Sequence, residues 1–507
     1  MLPQWYKTKR YPHIGLPLGK RDARPAIRKI TDPDFVARHA FLPFIHRVQT
    51  TRKYRRVQDE LGHRLKDRVA GKKERELYYA APFDYNIFSY YASLINDRYE
   101  SELSQLGLQE VVLAYRKVSH PEHKRNQCNI DFANTVFNTI RSSSEVELSV
   151  IALDISSFFD NLDHSKLKSA WKKVFDFAGS LPADHYRVFK AITQFWSIRE
   201  KRLFKRFKDQ IIVRQKGGAM RRKPIAKMEY LRKEGAVAFC EEKEFLRASG
   251  KQLTDANRYR KDEDGKRHLR TYGIPQGSPI SAILANLYLL DFDVAMESYV
   301  SSIDGRYWRY SDDILLLVPT LYEKDVVTQL DQLLDQSKLK VNHSKDQMYR
   351  FRTGLHGKEC FEVRDGYEQK KGALQYLGFE FDGRYTRLRP QSLSSFYRKM
   401  KRSIRRGRYY ANHIRNETRG KIFKGRLYKR FTVKGAERRR IYQQSKEDPA
   451  KFEKTARYDW GNFLTYALMA DRIVTNSKIK SQIKKAWPNF HVYLRQIEES
   501  IRTRPRK

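Results

Sequence analysis

The chain of 507 residues carries 102 Lys plus Arg against 59 Asp plus Glu, a formal net charge of +43, with 40% hydrophobic residues. That apolar content can bury sizeable cores in two to four domains of ~150 residues each, and the cationic excess goes far beyond what solubility asks, so a polyanion is the expected partner. Cys128, Cys240 and Cys360 are odd in number and outside any Cys-x-x-Cys spacing, which excludes a disulfide framework and a zinc ribbon and points to a reducing compartment; no apolar run approaches the ~18–20 residues of a membrane span.

Residues 1–80 read as a basic N-terminal extension. Met1-Leu2-Pro3-Gln4-Trp5 lacks the hydrophobic region of a signal peptide. Phe35-Val36-Ala37 and Phe41-Leu42-Pro43-Phe44-Ile45 are apolar anchors, and Arg52 to Lys73 is expected to form a charged helical segment. Further on, Val150-Ile151-Ala152-Leu153-Asp154-Ile155 is an apolar strand that ends in an acid. A strand covered on both faces has no structural need of that acid. Two-metal phosphoryl transfer does need one, because ions roughly 3.5–4 Å apart take carboxylates from separate strands. Asp160, Asp163 and His164 lie close by but read as caps of the following helix.

The 112 residues between Asp160 and Gly273 contain a basic insertion at about 200–265, in which Lys201 to Lys233 holds 13 basic and two acidic residues. Its middle, Lys216-Gly217-Gly218-Ala219-Met220-Arg221-Arg222-Lys223-Pro224, is expected to be a mobile loop. Gly273-Ile274-Pro275-Gln276-Gly277-Ser278-Pro279 then forms a stiff loop with exposed backbone donors, able to approach a base pair or phosphate closely, and feeds a helix with an apolar face.

Tyr310-Ser311-Asp312-Asp313 follows, between the aromatic run Tyr307-Trp308-Arg309-Tyr310 and the apolar run Ile314 to Val318. This reads as strand, two-residue turn, strand. Asp-Asp at a turn is common by itself; its place after an acid strand and a Pro-Gln-Gly loop is what makes it a candidate catalytic site. Beyond Gly383, Lys401 to Arg440 holds 16 basic residues and two acidic ones, interleaved with Tyr409, Tyr410, Phe423, Tyr428 and Phe431. Cations with aromatic rings supply phosphate contacts and stacking surfaces. Phe452 to Val474 is expected to be a packed helix.

These blocks, in this order, resemble motifs A, B and C of the bacterial reverse transcriptases related to retron and group II intron enzymes. The resemblance extends from about Ala81 to Phe381. It implies an α+β right-hand fold: fingers and palm over 81–383, then a helical thumb and C-terminal region over 384–507. It places Asp154, Ile155, Asp312 and Asp313 at a site for two Mg²⁺ ions, with Mn²⁺ as the alternative, and Asp154, Asp312 and Asp313 as catalytic acids. Leu339-Lys340-Val341-Asn342-His343-Ser344-Lys345 resembles motif D, with Lys345 as proton donor to pyrophosphate. Leu374-Gln375-Tyr376-Leu377-Gly378-Phe379 resembles the primer-grip hairpin. Leu113-Ala114-Tyr115-Arg116-Lys117 and Asn129-Ile130-Asp131-Phe132-Ala133 resemble the fingers, where Arg116 would meet the triphosphate as a bidentate donor. Phe159 falls where this family carries an aromatic that excludes the sugar 2′-hydroxyl, and Gln276 and Gly277 fall beside the incoming nucleotide; Phe158 reads as core. Arg402, Arg405, Arg406, Arg408, Tyr409, Lys424 and Arg426 are the expected nucleic-acid contacts.

The function implied is RNA-directed DNA synthesis from dNTPs on an RNA template in the bacterial cytoplasm, without a membrane. The N-terminal segments Tyr11-Pro12-His13-Ile14-Gly15 and His39 to Ile45 resemble the defence-associated reverse transcriptases that act against phage, which implies a structured non-coding RNA and a second reverse transcriptase subunit or a homo-oligomer as partners. Other readings remain open: a template-independent DNA polymerase, a group II intron-type maturase, and an inactive RNA-binding subunit, against which the retention of all three acids argues.

Overall fold

The computed structural model describes residues 2–502 except 10, 20, 59–63, 123–124, 216–217, 249, 262–265, 342–345, 365, 413–419, 438–439, 446–450 and 459–460. Its centre is a six-stranded antiparallel sheet whose strands run in the order 306–310, 313–319, 147–154, 347–354, 357–364, 367–371. Strand alternation divides its side chains between two cores. Ile151, Leu153, Ile314, Leu316 and Val318 face one, with helices Pro82–Gln105, Ser281–Tyr288, Leu290–Ser302 and Glu323–Gln336. Leu148, Val150, Leu315, Leu317 and Phe351 face the other, with helix Asn129–Ser142, the hairpin Leu374–Tyr376 and Phe379–Phe381, and the C-terminal helices. Burial on both faces is why these strands read as near-continuous apolar runs.

The described residues of the expected helix over Arg52 to Lys73 are instead in two long antiparallel strands, Phe44–Gln58 and Arg64–Tyr79, with 59–63 outside the described residues. Phe44 and Ile45 are buried and start the first strand beside Trp196–Arg199, with which it pairs in parallel. That edge commits the chain to an extended course, and the weak local preference of the charged run yields to it. The expected mobile loop is also a correction. Ile211–Arg214 and Met220–Lys223 are paired strands, and Lys216 and Gly217 lie outside the described residues. They form a four-stranded sheet with Ala236–Cys240 and His13–Ile14. A separate core of Ile14, Ile45, Ile198, Phe207, Phe239 and Phe245 lies beneath it. His13–Ile14 and Ile45 of the N-terminal segment therefore join that sheet and core, whereas Tyr6, Ala23, Ala26, Ile30, Val36 and Phe44 pack into the first core of the central sheet.

His13 locks that junction. It is fully buried, its Nδ1 accepts from the Ile14 N–H at 2.7 Å, and its Nε2 lies 3.0 Å from the Tyr79 carbonyl. Burial pushes its pKa down to about 4. The neutral ring is the folded form, so stability is complete above the ordinary value near 6.5 and declines as pH falls toward 4. The loss expected between pH 7 and 4 is about 3 kcal/mol. Chemical denaturation of wild type against His13→Gln across this range checks it: the variant should lose the part of the pH dependence that belongs to His13.

The C-terminal region is mainly helical, with Pro390–Ala411, Lys424–Phe431, Phe463–Ile473 and Ala486–Arg502. Phe452 to Val474 is not one helix. Phe452–Tyr458 is a strand paired with Arg440–Gln444, and the helix begins at Phe463, capped by the Asn462 side chain, which accepts from the N–H groups of Leu464 and Thr465. The three cysteines are free. Among the described residues no helix is long and apolar enough to cross a membrane.

Candidate active site

Asp154 ends the central strand and is the register partner of Asp313, which starts the neighbouring strand. Cross-strand partners point to the same side of a sheet. Here that side is the one carrying Ala152 and Leu315, so Asp154 and Asp313 emerge at the rim of the second core. Asp312 occupies the turn between Tyr310 and Asp313, and its carbonyl accepts from the Ile155 N–H at 3.0 Å. Asp154 and Asp312 are half-buried and Asp313 is exposed. Ile155 is buried and can offer a cation only its backbone carbonyl.

The turn is strained and held from behind. Ser311 has a left-handed φ of +66°, uncommon for a residue other than glycine. Its hydroxyl lies 3.1 Å from the Tyr115 hydroxyl, and its carbonyl accepts from Arg309 Nη1 at 3.2 Å. Arg309 is wholly buried against Asp293, with Nε–Oδ1 of 2.7 Å and Nη2–Oδ2 of 2.5 Å, and it also donates to Asn286 Oδ1. Burial alone would lower the guanidinium pKa; Asp293 more than reverses this and holds it above the ordinary value. Asn286 in turn donates to the Ala114 carbonyl at 2.9 Å. A fixed ionic bracket thus joins the acid hairpin to the helix after the Pro-Gln-Gly loop and to the segment around Ala114. Sequence reasoning missed it, although an arginine in an aromatic strand and an aspartate on an apolar helix are its visible signals.

The loop is stitched by backbone bonds to the short helix Phe158–Asn161 and the residue after it, which follow the acid strand. Ile274 N–H donates to the Phe159 carbonyl at 2.9 Å and Gly273 N–H to the Leu162 carbonyl at 2.8 Å. Gln276 is half-buried, and its carbonyl accepts from the Tyr78 N–H at 2.8 Å. Gly277 has a φ of +112°, and a Cβ there would lie 2.8 Å from the Tyr78 carbonyl oxygen, so glycine is required by this close approach. Asp163 caps helix His164–Val174 by accepting from Lys166 N–H at 2.9 Å. Phe158 is 3% exposed and belongs to the core, whereas Phe159 is half-buried. If Phe159 lies under the sugar, Phe159→Ala should raise ribonucleotide incorporation relative to deoxyribonucleotide incorporation; unchanged sugar discrimination in single-nucleotide extension removes the assignment.

Arg116, expected at the triphosphate, is paired within the chain. Its side chain is 3% exposed and makes a bidentate pair with Glu100, with further bonds to the carbonyls of Gln109 and Val112. In this structure its donors are engaged by Glu100 and by these two carbonyls. Lys345 lies outside the described residues, while Lys340 and Val341 before it pair with Ser156 and Ile155. The hairpin 374–381 turns through Leu377 and Gly378, both with positive φ, and the Leu377 carbonyl accepts from the Asn129 side chain. Tyr376 there is buried, and burial together with the nearby Asp313 charge raises its pKa.

Among the described residues no group of three or more His, Cys, Asp or Glu forms a ready cation cage. The donors present nonetheless suit Mg²⁺, which takes one or two carboxylates together with substrate phosphates and water. Arg402, Arg405, Arg406, Tyr409, Lys424 and Arg426 are exposed and Arg408 is half-buried; Lys424 pairs with Glu498 at 2.6 Å. Phe396, Met400 and Ile404 bury the opposite face of their helix, which carries no acid.

Residues 231–381 match the family described as "Reverse transcriptase (RNA-dependent DNA polymerase)". The family so described is one of RNA-directed DNA polymerases, which are nucleotidyltransferases. The matched segment contains the Gln276 loop, the Asp312–Asp313 turn and the 374–381 hairpin, and begins after Asp154. No curated protein matches the sequence. Among solved structures, telomerase from Candida albicans in complex with a TWJ fragment of telomeric RNA is similar at 11% identity, over 86% of this chain and 63% of that one, with a TM-score of 0.38. Apo telomerase from Candida tropicalis is similar at 11% identity, over 61% and 45%, with a TM-score of 0.31. Its form truncated from the C-terminal domain gives 10%, 62%, 52% and 0.35. The chain spans less than two thirds of each of these, and likeness at this level carries no argument about the site.

Proposed function

We propose that the chain copies an RNA template into DNA at the site formed by Asp154, Asp312 and Asp313, as the polymerase of a bacterial anti-phage system built around a structured non-coding RNA. The observation that supports the polymerase reading is the pairing of Asp154 with Asp313 at the ends of neighbouring strands beside the Asp312 turn, with the Pro-Gln-Gly loop bonded to the Phe159–Leu162 segment that follows Asp154. Bound Mg²⁺ would supply charge neutralisation at the triphosphate and activation of the primer 3′-hydroxyl. Asp154 and Asp312 would hold the ions, with Asp313 supporting them and the Ile155 carbonyl at hand. Phe159 would exclude the ribose 2′-hydroxyl, Gln276 and Gly277 would fix the nucleotide against the template, and Lys345 would give a proton to pyrophosphate.

The exposed cations of helices Pro390–Ala411 and Lys424–Phe431 would take the backbone of the template–product duplex, with Tyr409 as a stacking surface. Replacing Arg402, Arg405 and Arg406 by Gln should lower the slope of log affinity against log salt by roughly 2–3, at about 0.9 per phosphate contact. An unchanged slope in fluorescence anisotropy would remove this surface from the interface. The defence setting rests on the resemblance of the N-terminal segments. Its test is to sequence the RNA that co-purifies with the protein and to delete the corresponding flanking RNA. A discrete structured RNA whose deletion abolishes phage protection supports the setting; bulk RNA and unchanged protection oppose it.

A further inference from the structure

Away from the acids, the unit built from the N-terminal segment and residues 196–256 carries an open cavity of about 840 Å³. This is within the range of small-ligand sites. Arg47, Arg214 and Arg232 stand on its wall beside Tyr11, Met228 and Leu231. Glu200 also lines it, but its carboxylate is already engaged by the Arg47 guanidinium, with Nε–Oε2 of 2.7 Å, and by the Tyr79 hydroxyl at 2.9 Å. It therefore offers little opposition to an anion. Glu229, the other acid of the lining, is exposed.

Arg214 supplies the second observation. Its Nε is buried and has no hydrogen-bond partner among the described residues. A buried donor on a charged group is costly to leave unpaired, and guanidinium is the group best matched to phosphate oxygens. The remaining wall is apolar and aromatic, suited to a flat heterocycle rather than to inorganic phosphate alone.

We infer that this cavity binds a phosphate-bearing nucleotide, with Arg214 and Arg232 on the phosphates and the Tyr11–Met228–Leu231 wall against the base. The ligand is a free nucleotide or the 5′-terminal nucleotide of an RNA, which share this chemistry. The site has a physical link to the catalytic loop. Tyr79 joins the cavity network through Glu200, and its neighbour Tyr78 holds the Gln276 carbonyl, so occupancy is placed to influence the loop. Binding itself does not rest on the polymerase reading.

The test uses the full chain freed of nucleic acid, titrated without divalent metal with a fluorescent ATP and with a short RNA bearing either a 5′-triphosphate or a 5′-hydroxyl. Wild type and Asp312→Ala should bind alike, and Arg214→Gln should bind at least tenfold more weakly. Arg232→Gln, at an exposed position that folding tolerates, should also weaken binding. Preference for ATP identifies a free nucleotide as the source, and preference for the 5′-triphosphate RNA identifies an RNA end. Absence of binding by both probes overturns the inference, as does affinity unchanged in both arginine variants or affinity lost in Asp312→Ala.

Discussion

Replacing Asp312 and Asp313 together by Ala should reduce nucleotide incorporation by roughly 10³-fold or more while leaving the fold intact. The magnitude follows from losing carboxylates that support metal-assisted charge stabilisation, a contribution of several kcal/mol at 1.36 kcal/mol per tenfold. The fold should survive because neither side chain belongs to a core, and the turn is held by Ser311 and Arg309 instead. Incorporation of a labelled dNTP, read beside an unchanged thermal unfolding transition, checks both halves. Retained incorporation would show that the paired acids are an ordinary turn.

The second large effect concerns stability. Arg309→Ala leaves Asp293 buried without its countercharge, and removing one member of a buried pair costs about 3–5 kcal/mol. The loss should also release the Ser311 carbonyl and loosen the turn, so activity should fall beyond what partial unfolding explains. Arg309→Met combined with Asp293→Leu replaces the pair by apolar groups and should recover much of the stability but little of the activity. Urea denaturation of the single and double variants measures the coupling. A single variant as stable as wild type would contradict the bracket.

Legibility followed how local the signal was. Asp154, the Pro-Gln-Gly loop and the Asp312–Asp313 turn could be located because short-range chemistry marks them: apolar strands, turn residues, glycines and prolines; the 374–381 hairpin was indicated by the resemblance alone. The long strand pair within 44–79 could not be located. Its distal sequence is charged and reads as a helix, and its extended course starts from pairing of Phe44–His46 with Ser197–Arg199, some 150 residues away in sequence. The same holds for His13–Ile14 pairing with Ala236–Cys240, which joins two stretches that composition reads as separate. Arg116 shows the limit for single residues. A cation in a segment that resembles the fingers suggests phosphate, and only its contacts with Glu100, Gln109 and Val112 show where its donors go in this structure.

The most direct test of the account is single-nucleotide extension by the purified full chain, given Mg²⁺ and a DNA primer annealed to an RNA of known sequence, with each dNTP and rNTP supplied separately. The account predicts incorporation of the deoxynucleotide complementary to the next template base, and none from the Asp154→Ala variant. Addition that ignores the template base, or incorporation that persists without Asp154, would contradict RNA-directed synthesis at these acids.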